Sequence, residues 1–404
     1  MKTVSLAALH TEAGRRDPYP VYAWLHEQGP ICQVAQGERY SFVVQGFEAA
    51  SQVLKDSATF KVAESSAPTG PAHAVFMNSM FFTNAPRHTR MRRMFNHAFT
   101  PRRVNGLLLA IERMTGELVE QIAGRDRVDF MAEFAFPLPA NVLGELLGVP
   151  EVDRSWYRPR ALALGALLEL GASTQETIAA ADTAAQEITP YFAELAAQRR
   201  AQPRDDLVSA LVQALEADGG ALNEEELVAN LIVLFNAGFV TTTHLLGNGL
   251  TLLMERPEHF TRLRERPELA SSYVEEILRF ELPTHFSLRW AAANAEVAGV
   301  NIPQGSWVLV LLAAANRDPA RFAEPDRFDP SRFSAARADQ TLSFGAGAHY
   351  CLGAALARLE GISGLRALVA NFPAIRLAEP AGVPRQLMLR GHEQLWVTTQ
   401  QDRS

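Results

Sequence analysis

Three observations predict a mainly α protein with small β-sheets: helical periodicity through the first two-thirds of the chain, short β-like runs towards both ends, and one long proline-punctuated loop between helical stretches. Apolar residues recur at helical spacing over 104–122, 139–147, 155–170, 175–199, 205–216 and 223–255, and a further helix is expected over about 267–280. Strands are expected at 31–35, 40–44, 296–302, 307–312, 387–390 and 394–399, each bounded by turn residues. A small β-rich portion drawn from about 31–45, 285–312 and 385–400 must therefore gather distant pieces of chain. No repeat, low-complexity tract or Gly/Ser-rich linker divides the sequence, so 1–404 reads as a single domain.

Composition narrows the function. At 404 residues, with 48% hydrophobic and 21% charged residues, the chain has the balance of a folded globular protein. Lys and Arg total 38 against 45 Asp and Glu, and a net charge of -7 disfavours a phosphate backbone or an anionic membrane surface as partner. Two cysteines, Cys32 and Cys351, provide no disulfide framework and fit a reducing compartment. The first twenty residues include Arg15, Arg16 and Asp17 and lack the apolar run of a secretory signal, and the best apolar stretch, 227–239, is short for a bilayer. A soluble, monomeric, cytoplasmic protein with no nucleic-acid or membrane partner is expected.

The loop 316–344 carries Pro319, Pro325 and Pro330 and almost no periodicity, and a structureless segment of that length inside a compact domain is usually functional. It leads into Phe344-Gly345-Ala346-Gly347-Ala348-His349-Tyr350-Cys351-Leu352-Gly353, after which a helical pattern starts. A cysteine at a helix start is stabilised as thiolate by free amides and the positive end of the helix dipole, which makes it a metal ligand, and the glycines permit a tight turn and close approach of a flat group. A dinucleotide fingerprint fails because its third glycine position is Tyr350. A zinc site through Cys351 and His349 fails for want of further ligands at suitable spacing.

The pattern Phe-Gly-x-Gly-x-His-x-Cys-x-Gly in this segment resembles the ligand loop of cytochrome P450, the haem-thiolate monooxygenases. The likeness runs from Asp17-Pro18-Tyr19-Pro20 to Arg390-Gly391 and is nearest to soluble bacterial, ferredoxin-dependent members, above all actinobacterial ones of natural-product biosynthesis. It implies the cytochrome P450 fold, with a long central helix over haem b held by a Cys loop. Cys351 is then the axial iron ligand, with Phe344, Gly345, Gly353 and Ala237 against the haem. In this family the thiolate pushes electron density onto iron and favours O–O cleavage.

Further motifs are similar to those of the family. Glu276 and Arg279, at i,i+3 on one helix face, would on a surface make only a weak ion pair. By resemblance they form a buried clamp on 316–319 and 325–329, with Arg327 as third member ahead of Arg332. His88 and Arg92 look like the family's His-x-x-x-Arg propionate clamp, and Arg289 and His349 match its other two positions.

The long helix opens with Asn223 and Glu226 at capping-box spacing, stops before Pro257, and at ~1.5 Å per residue is about 50 Å long. Its centre, 231–240, is apolar nearly all round and so buried. Within Ala237-Gly238-Phe239-Val240-Thr241-Thr242-Thr243 a glycine and three hydroxyls favour a local bend. This resembles the family's oxygen-binding segment, with Thr241 as its alcohol and Thr242 beside it. Where the family has an acid the chain has Val240. Proton supply then falls to water held by Thr241 and Thr242, to a polar group of the substrate, or to a reaction of altered proton demand. His244, one turn on, is expected to pack or bond locally, while His285 is a candidate pocket residue.

By resemblance 65–82, the centre of the long helix, 282–288 and 387–388 surround the substrate. They supply Phe76, Met77, Met80, Phe81, Phe82, Phe239, Phe286 and Met388, an aromatic and thioether lining, together with Asn236, Val240, Thr284 and Leu387. Asn236 either bonds a neighbouring helix or holds an amide, carbonyl or hydroxyl of the ligand. The expected reaction is hydroxylation or epoxidation of a bulky, largely apolar or aromatic small molecule in secondary metabolism, with dioxygen and electrons from a ferredoxin and its reductase. The alternatives are oxidative ring coupling of an aromatic substrate and a non-oxygenating haem-thiolate protein. Arg92, Arg93, Arg102, Arg103 and Arg358 are the candidate cations for an acidic ferredoxin.

Overall fold

The computed structural model describes residues 2–62, 69–168, 174–217, 223–334 and 340–399. They gather into two compact units, one built from Met1–Lys61, Thr115–Ala135 and Thr241–Ser404, the other from Val62–Met114 and Phe136–Val240.

All the segments expected as strands lie in the first unit. Its main sheet comprises β1 (Thr3–Val4), β2 (Ile31–Val34), β3 (Phe42–Val44), β4 (Phe60–Lys61), β5 (Phe286–Ala291) and β6 (Trp307–Leu311) in the order β1-β2-β3-β6-β5-β4. β2 and β3 pair antiparallel with Ile31 opposite Val44, β3 and β6 run parallel, and β5 returns antiparallel to β6 with Arg289 opposite Val308. Val308–Leu311 is buried throughout, as a continuous apolar run in a central strand requires.

Two strand expectations need correction. Segment 296–302 is a hairpin of two short strands, Ala295–Val297 and Val300–Ile302, because Ala298 and Gly299 both take positive φ (49° and 76°) and turn the chain back. Segment 387–390 is no strand. It makes a single bridge, Leu389 to Thr284, flanked by His285 N donating to Met388 O and Arg390 N to Pro283 O, and Pro283 has no N–H with which to continue a ladder. The end of the chain contributes Trp396–Thr398, which pairs with Val128–Asp129 and Arg376–Leu377.

The helices follow their local signals. We label α1 (Arg87–Ala98), α2 (Glu151–Gly165), α3 (Gln175–Ala201), α4 (Glu224–Met254), α5 (Ala270–Phe280) and α6 (Ala354–Asn371). The region expected as 104–122 is split into Pro101–Gly106, capped by the Thr100 hydroxyl accepting from Arg103 N, and Leu108–Ile122. α2 starts four residues before the expected 155, directly after Pro150, with Glu151 and Asp153 favoured in its first turn by the helix dipole.

At the start of α4, Glu226 N donates to Asn223 Oδ1 at 2.7 Å and Asn223 N to Glu226 Oε2 at 3.1 Å, the reciprocal box expected from the spacing. Arg87 and Arg90 add ion pairs to the buried Glu226 at 2.7 and 2.9 Å. α4 is, among the described residues, long and apolar enough to cross a membrane, which 227–239 alone understates, but 72% of its most apolar window is buried inside the protein. Its first half packs in the second unit's aromatic core, where Tyr157 lies 4.3 Å from Phe235 and donates to Ile232 O.

Candidate active site

In the first unit the Cys351 loop is built from two left-handed glycines. Gly345 (φ 69°) and Gly347 (φ 71°) turn the chain, Gly345 N donates to Leu342 O, and Cys351 N closes the loop onto Phe344 O at 3.0 Å. Gly347 is also held by space, since a Cβ there would lie 2.4 Å from Leu54 O. Gly353 has an ordinary φ of -83° and serves as N-cap of α6. The loop therefore delivers an exposed Cys351 thiol to the beginning of an 18-residue helix. Phe344 lies beneath the Arg358 guanidinium at 4.4 Å, and Arg358 is in turn paired with Glu275. His349, in the short turn before Cys351, is half-buried.

Behind this loop, Glu276 and Arg279 are both fully buried. Arg279 donates from Nε and Nη2 to the two carboxylate oxygens at 2.7 and 2.8 Å, and to the carbonyls of Asn316, Pro325 and Arg327. Asp329 N donates to Glu276 at 2.7 Å. The pair thus fastens the irregular chain at both ends of the stretch from Asn316 to Asp329. Burial pushes the Glu276 carboxyl up, against the pull of Arg279. Arg327 takes part by its carbonyl only: its guanidinium is exposed and bonded to Glu324, and the side chain that approaches Glu276, at 3.9 Å, is that of Arg332. Glu324 competes successfully for Arg327 because it sits three residues away on an exposed turn.

Arg289 on β5 is only 5% exposed. It donates to Ser287 Oγ and Leu288 O, has no acidic partner among the described residues, and is pushed down to about 10 by burial. A buried guanidinium without a carboxylate is costly unless an anion meets it.

In the second unit His88 is buried on α1 with Arg92 one turn further along; burial and the nearby guanidinium both push its imidazole down. Arg92 donates to Asn96. Phe76, Phe81 and Phe82 form an edge-to-face group with Phe82 5.6 Å from Phe76 and 4.9 Å from Phe81, and Phe81 is exposed. Residues 63–68 of the expected substrate loop lie outside the described residues.

Along α4 the accessible positions in the central stretch are Leu234, Ala237, Gly238, Thr241 and His244, a single stripe at helical spacing. Thr241 is on that stripe, whereas Thr242 is turned into the packed side and buried. Asn236 is buried and donates from Nδ2 to Ala161 O of α2 at 2.8 Å, the neighbouring-helix alternative for this amide. Phe239 is 0% exposed and packs 5.0 Å from Phe136, so it belongs to the aromatic core and not to the accessible stripe. Phe286 and Leu387, each 2% exposed, are likewise packed away, while Met77, Phe82, Thr284 and Met388 keep partial exposure. His285 is fully enclosed, bonded to Tyr22 OH at 2.9 Å, and lines no accessible surface.

The sequence profile of the cytochrome P450 family matches residues 4–147 and 157–376. The chain is 36% identical over 402 residues to 6-deoxyerythronolide B hydroxylase of Saccharopolyspora erythraea, covering 96% of this chain and 97% of that one. It is 38% identical to cytochrome P450 monooxygenase PikC of Streptomyces venezuelae, over 89% and 85% of the two chains. Among solved structures, P450BioI in complex with hexadec-9Z-enoic acid ligated acyl carrier protein superposes with a TM-score of 0.89 at 35% identity, covering 96% and 100%. The chain belongs to the cytochrome P450 family. It is an oxidoreductase whose cofactor is haem b, and like other members it works with dioxygen, a redox partner and a substrate.

Proposed function

We propose that this protein is a cytoplasmic, monomeric, ferredoxin-dependent monooxygenase that hydroxylates or epoxidises a bulky, largely apolar or aromatic small molecule of secondary metabolism. The observation that carries the reading is the loop from Phe344 to Gly353, which presents an exposed thiol at the start of a helix.

The residues present fit haem b. Cys351 offers a soft thiolate for iron, and Arg289 is a buried cation that lacks an acidic partner among the described residues, as a propionate requires. Arg289 and His349 of the first unit would hold propionate. Haem bound through a thiolate supplies reductive cleavage of dioxygen with insertion of one oxygen atom into substrate. This chain's own contributions are then threefold. The Glu276–Arg279 clamp fixes the chain leading into the ligand loop, Ala237 leaves the helix face open, and the Thr241 hydroxyl on the same stripe holds a proton beside the reacting oxygen.

The substrate class rests on the partly exposed Met77, Phe81 and Phe82 of the second unit, and on a relative named for polyketide biosynthesis. The test is turnover with labelled dioxygen. Insertion leaves one labelled atom in the product; a product formed without label replaces this reading by ring coupling.

A further inference from the structure

One turn beyond Val240, α4 carries His244. Thr241, His244, Asn248 and Thr251 fall at i, i+3, i+7 and i+10 on α4 and form one polar stripe. The stripe packs against Arg390-Gly391-His392: Asn248 Nδ2 donates to Arg390 O, and Thr251 Oγ1 bonds His392 Nε2 at 3.0 Å. Val240 is 6% exposed, whereas His244 keeps an accessible edge on the same side as Thr241 and Ala237.

Gly391 fixes the orientation of the His244 ring. A Cβ there would lie 2.0 Å from His244 Nδ1 and 2.3 Å from its Cγ, so only glycine lets the ring approach the backbone this closely. Nδ1 is thereby closed off, buried and without a hydrogen-bond partner. An N–H at that atom would be stranded, so the lone pair sits there and the proton belongs on Nε2, at the open edge. A second proton would have to enter the closed position. Burial and the neighbouring His392 accordingly push this imidazole down to about 4. Of the other charged groups packed on the stripe, Arg390 is paired with Glu281.

We propose that His244 compensates for Val240: a neutral Nε2–H donor that holds, together with the Thr241 hydroxyl, the water through which protons reach dioxygen. A water held by its oxygen keeps both hydrogens free to donate. His244 is therefore a positioning residue and is not itself the acid. Turnover takes up dioxygen, two electrons from the redox partner and two protons from bulk water, places one oxygen atom in the product and releases the other as water; when proton delivery fails, the same electrons and protons leave as hydrogen peroxide. The proposal rests on the monooxygenase reading above.

Two readouts test it. With imidazole nitrogens labelled in the reduced, carbon monoxide-bound protein, one neutral Nε2–H histidine should persist from pH 8 to pH 5, vanish in His244→Phe and shift in Gly391→Ala. In turnover, His244→Phe should raise peroxide per electron several-fold with substrate affinity within about twofold, His244→Gln should raise it less, and adding Val240→Glu to His244→Phe should lower it again. An Nδ1–H tautomer or an imidazolium at pH 7, unchanged peroxide in His244→Phe, or no recovery in the double variant would overturn the proposal. Wild-type protein that lacks the thiolate carbon monoxide band would instead sink the monooxygenase reading. If His244→Phe does not fold, Gly391→Ala carries both readouts, with the same outcomes deciding.

Discussion

Arg279 meets Glu276 through two parallel hydrogen bonds of 2.7 and 2.8 Å with neither side chain exposed to solvent. Removing one partner leaves a charge stranded in the interior, which costs about 3–5 kcal/mol. Glu276→Gln and Arg279→Met should each lower the unfolding free energy by that order and weaken haem retention, because the carbonyls of Asn316, Pro325 and Arg327 lose their common anchor. Arg327→Ala should be mild, with a cost under about 1 kcal/mol for an exposed pair, and Arg332→Ala larger. Denaturant titration of the four variants checks the order.

Arg289 should behave in the opposite sense before and after haem is bound. Without an anion its buried charge is a burden, so Arg289→Met should leave the haem-free protein as stable or more stable. A charge-assisted hydrogen bond is worth about 1.5–3 kcal/mol, so the same variant should release haem to a scavenging globin roughly ten to a hundred times faster. Equal release rates would remove Arg289 from the propionate site.

Stability should fall as the solution is acidified below neutrality. His244 is pushed from 6.5 to about 4 by burial, and His285, His392 and His88 are also pushed down. The unfolded chain therefore binds protons that the folded chain refuses, and stability drops as pH falls from about 6.5 towards 4. His244 alone can account for about 3 kcal/mol across that window. Unfolding measured at pH 7, 6, 5 and 4.5 should show a shallower loss for His244→Gln than for wild type.

The ferredoxin face should centre on the second unit's arginines. Arg102 is exposed, Arg103 pairs with the exposed Asp205, and Arg92 and Arg93 lie on the preceding helix. Arg358 is committed to Glu275 and drops from the set. Arg102→Glu with Arg103→Glu should slow reduction by ferredoxin about tenfold at low salt, with a smaller gap at high salt, while substrate-induced spectral changes persist. Stopped-flow reduction across ionic strength decides it.

How much of this was legible beforehand depended on whether a signal was local. The capping box at Asn223 and Glu226, the central strand Trp307–Leu311 and the glycine turns around Cys351 are written in neighbouring residues and are found where expected. The hairpin at Ala298-Gly299 was missed because an alanine at positive φ gives no sequence signal. Phe239, Phe286 and Leu387 looked like pocket residues and are packed core, since an apolar side chain carries no mark of which apolar surface it meets. Arg327 and Arg332 could not be told apart because the choice is made by Glu324 across a turn. The part played by Gly391 against His244 was invisible, being a contact between residues 147 positions apart along the chain.

The central claim is that Cys351 is the iron ligand, and the carbon monoxide spectrum of the reduced protein tests it most directly. Wild type and Cys32→Ala should both give the strongly red-shifted Soret band of thiolate-ligated haem, since Cys32 is buried in β2, and Cys351→Ala should lose it. Retention of that band in Cys351→Ala, or its absence from correctly folded wild-type protein loaded with haem, would contradict the account.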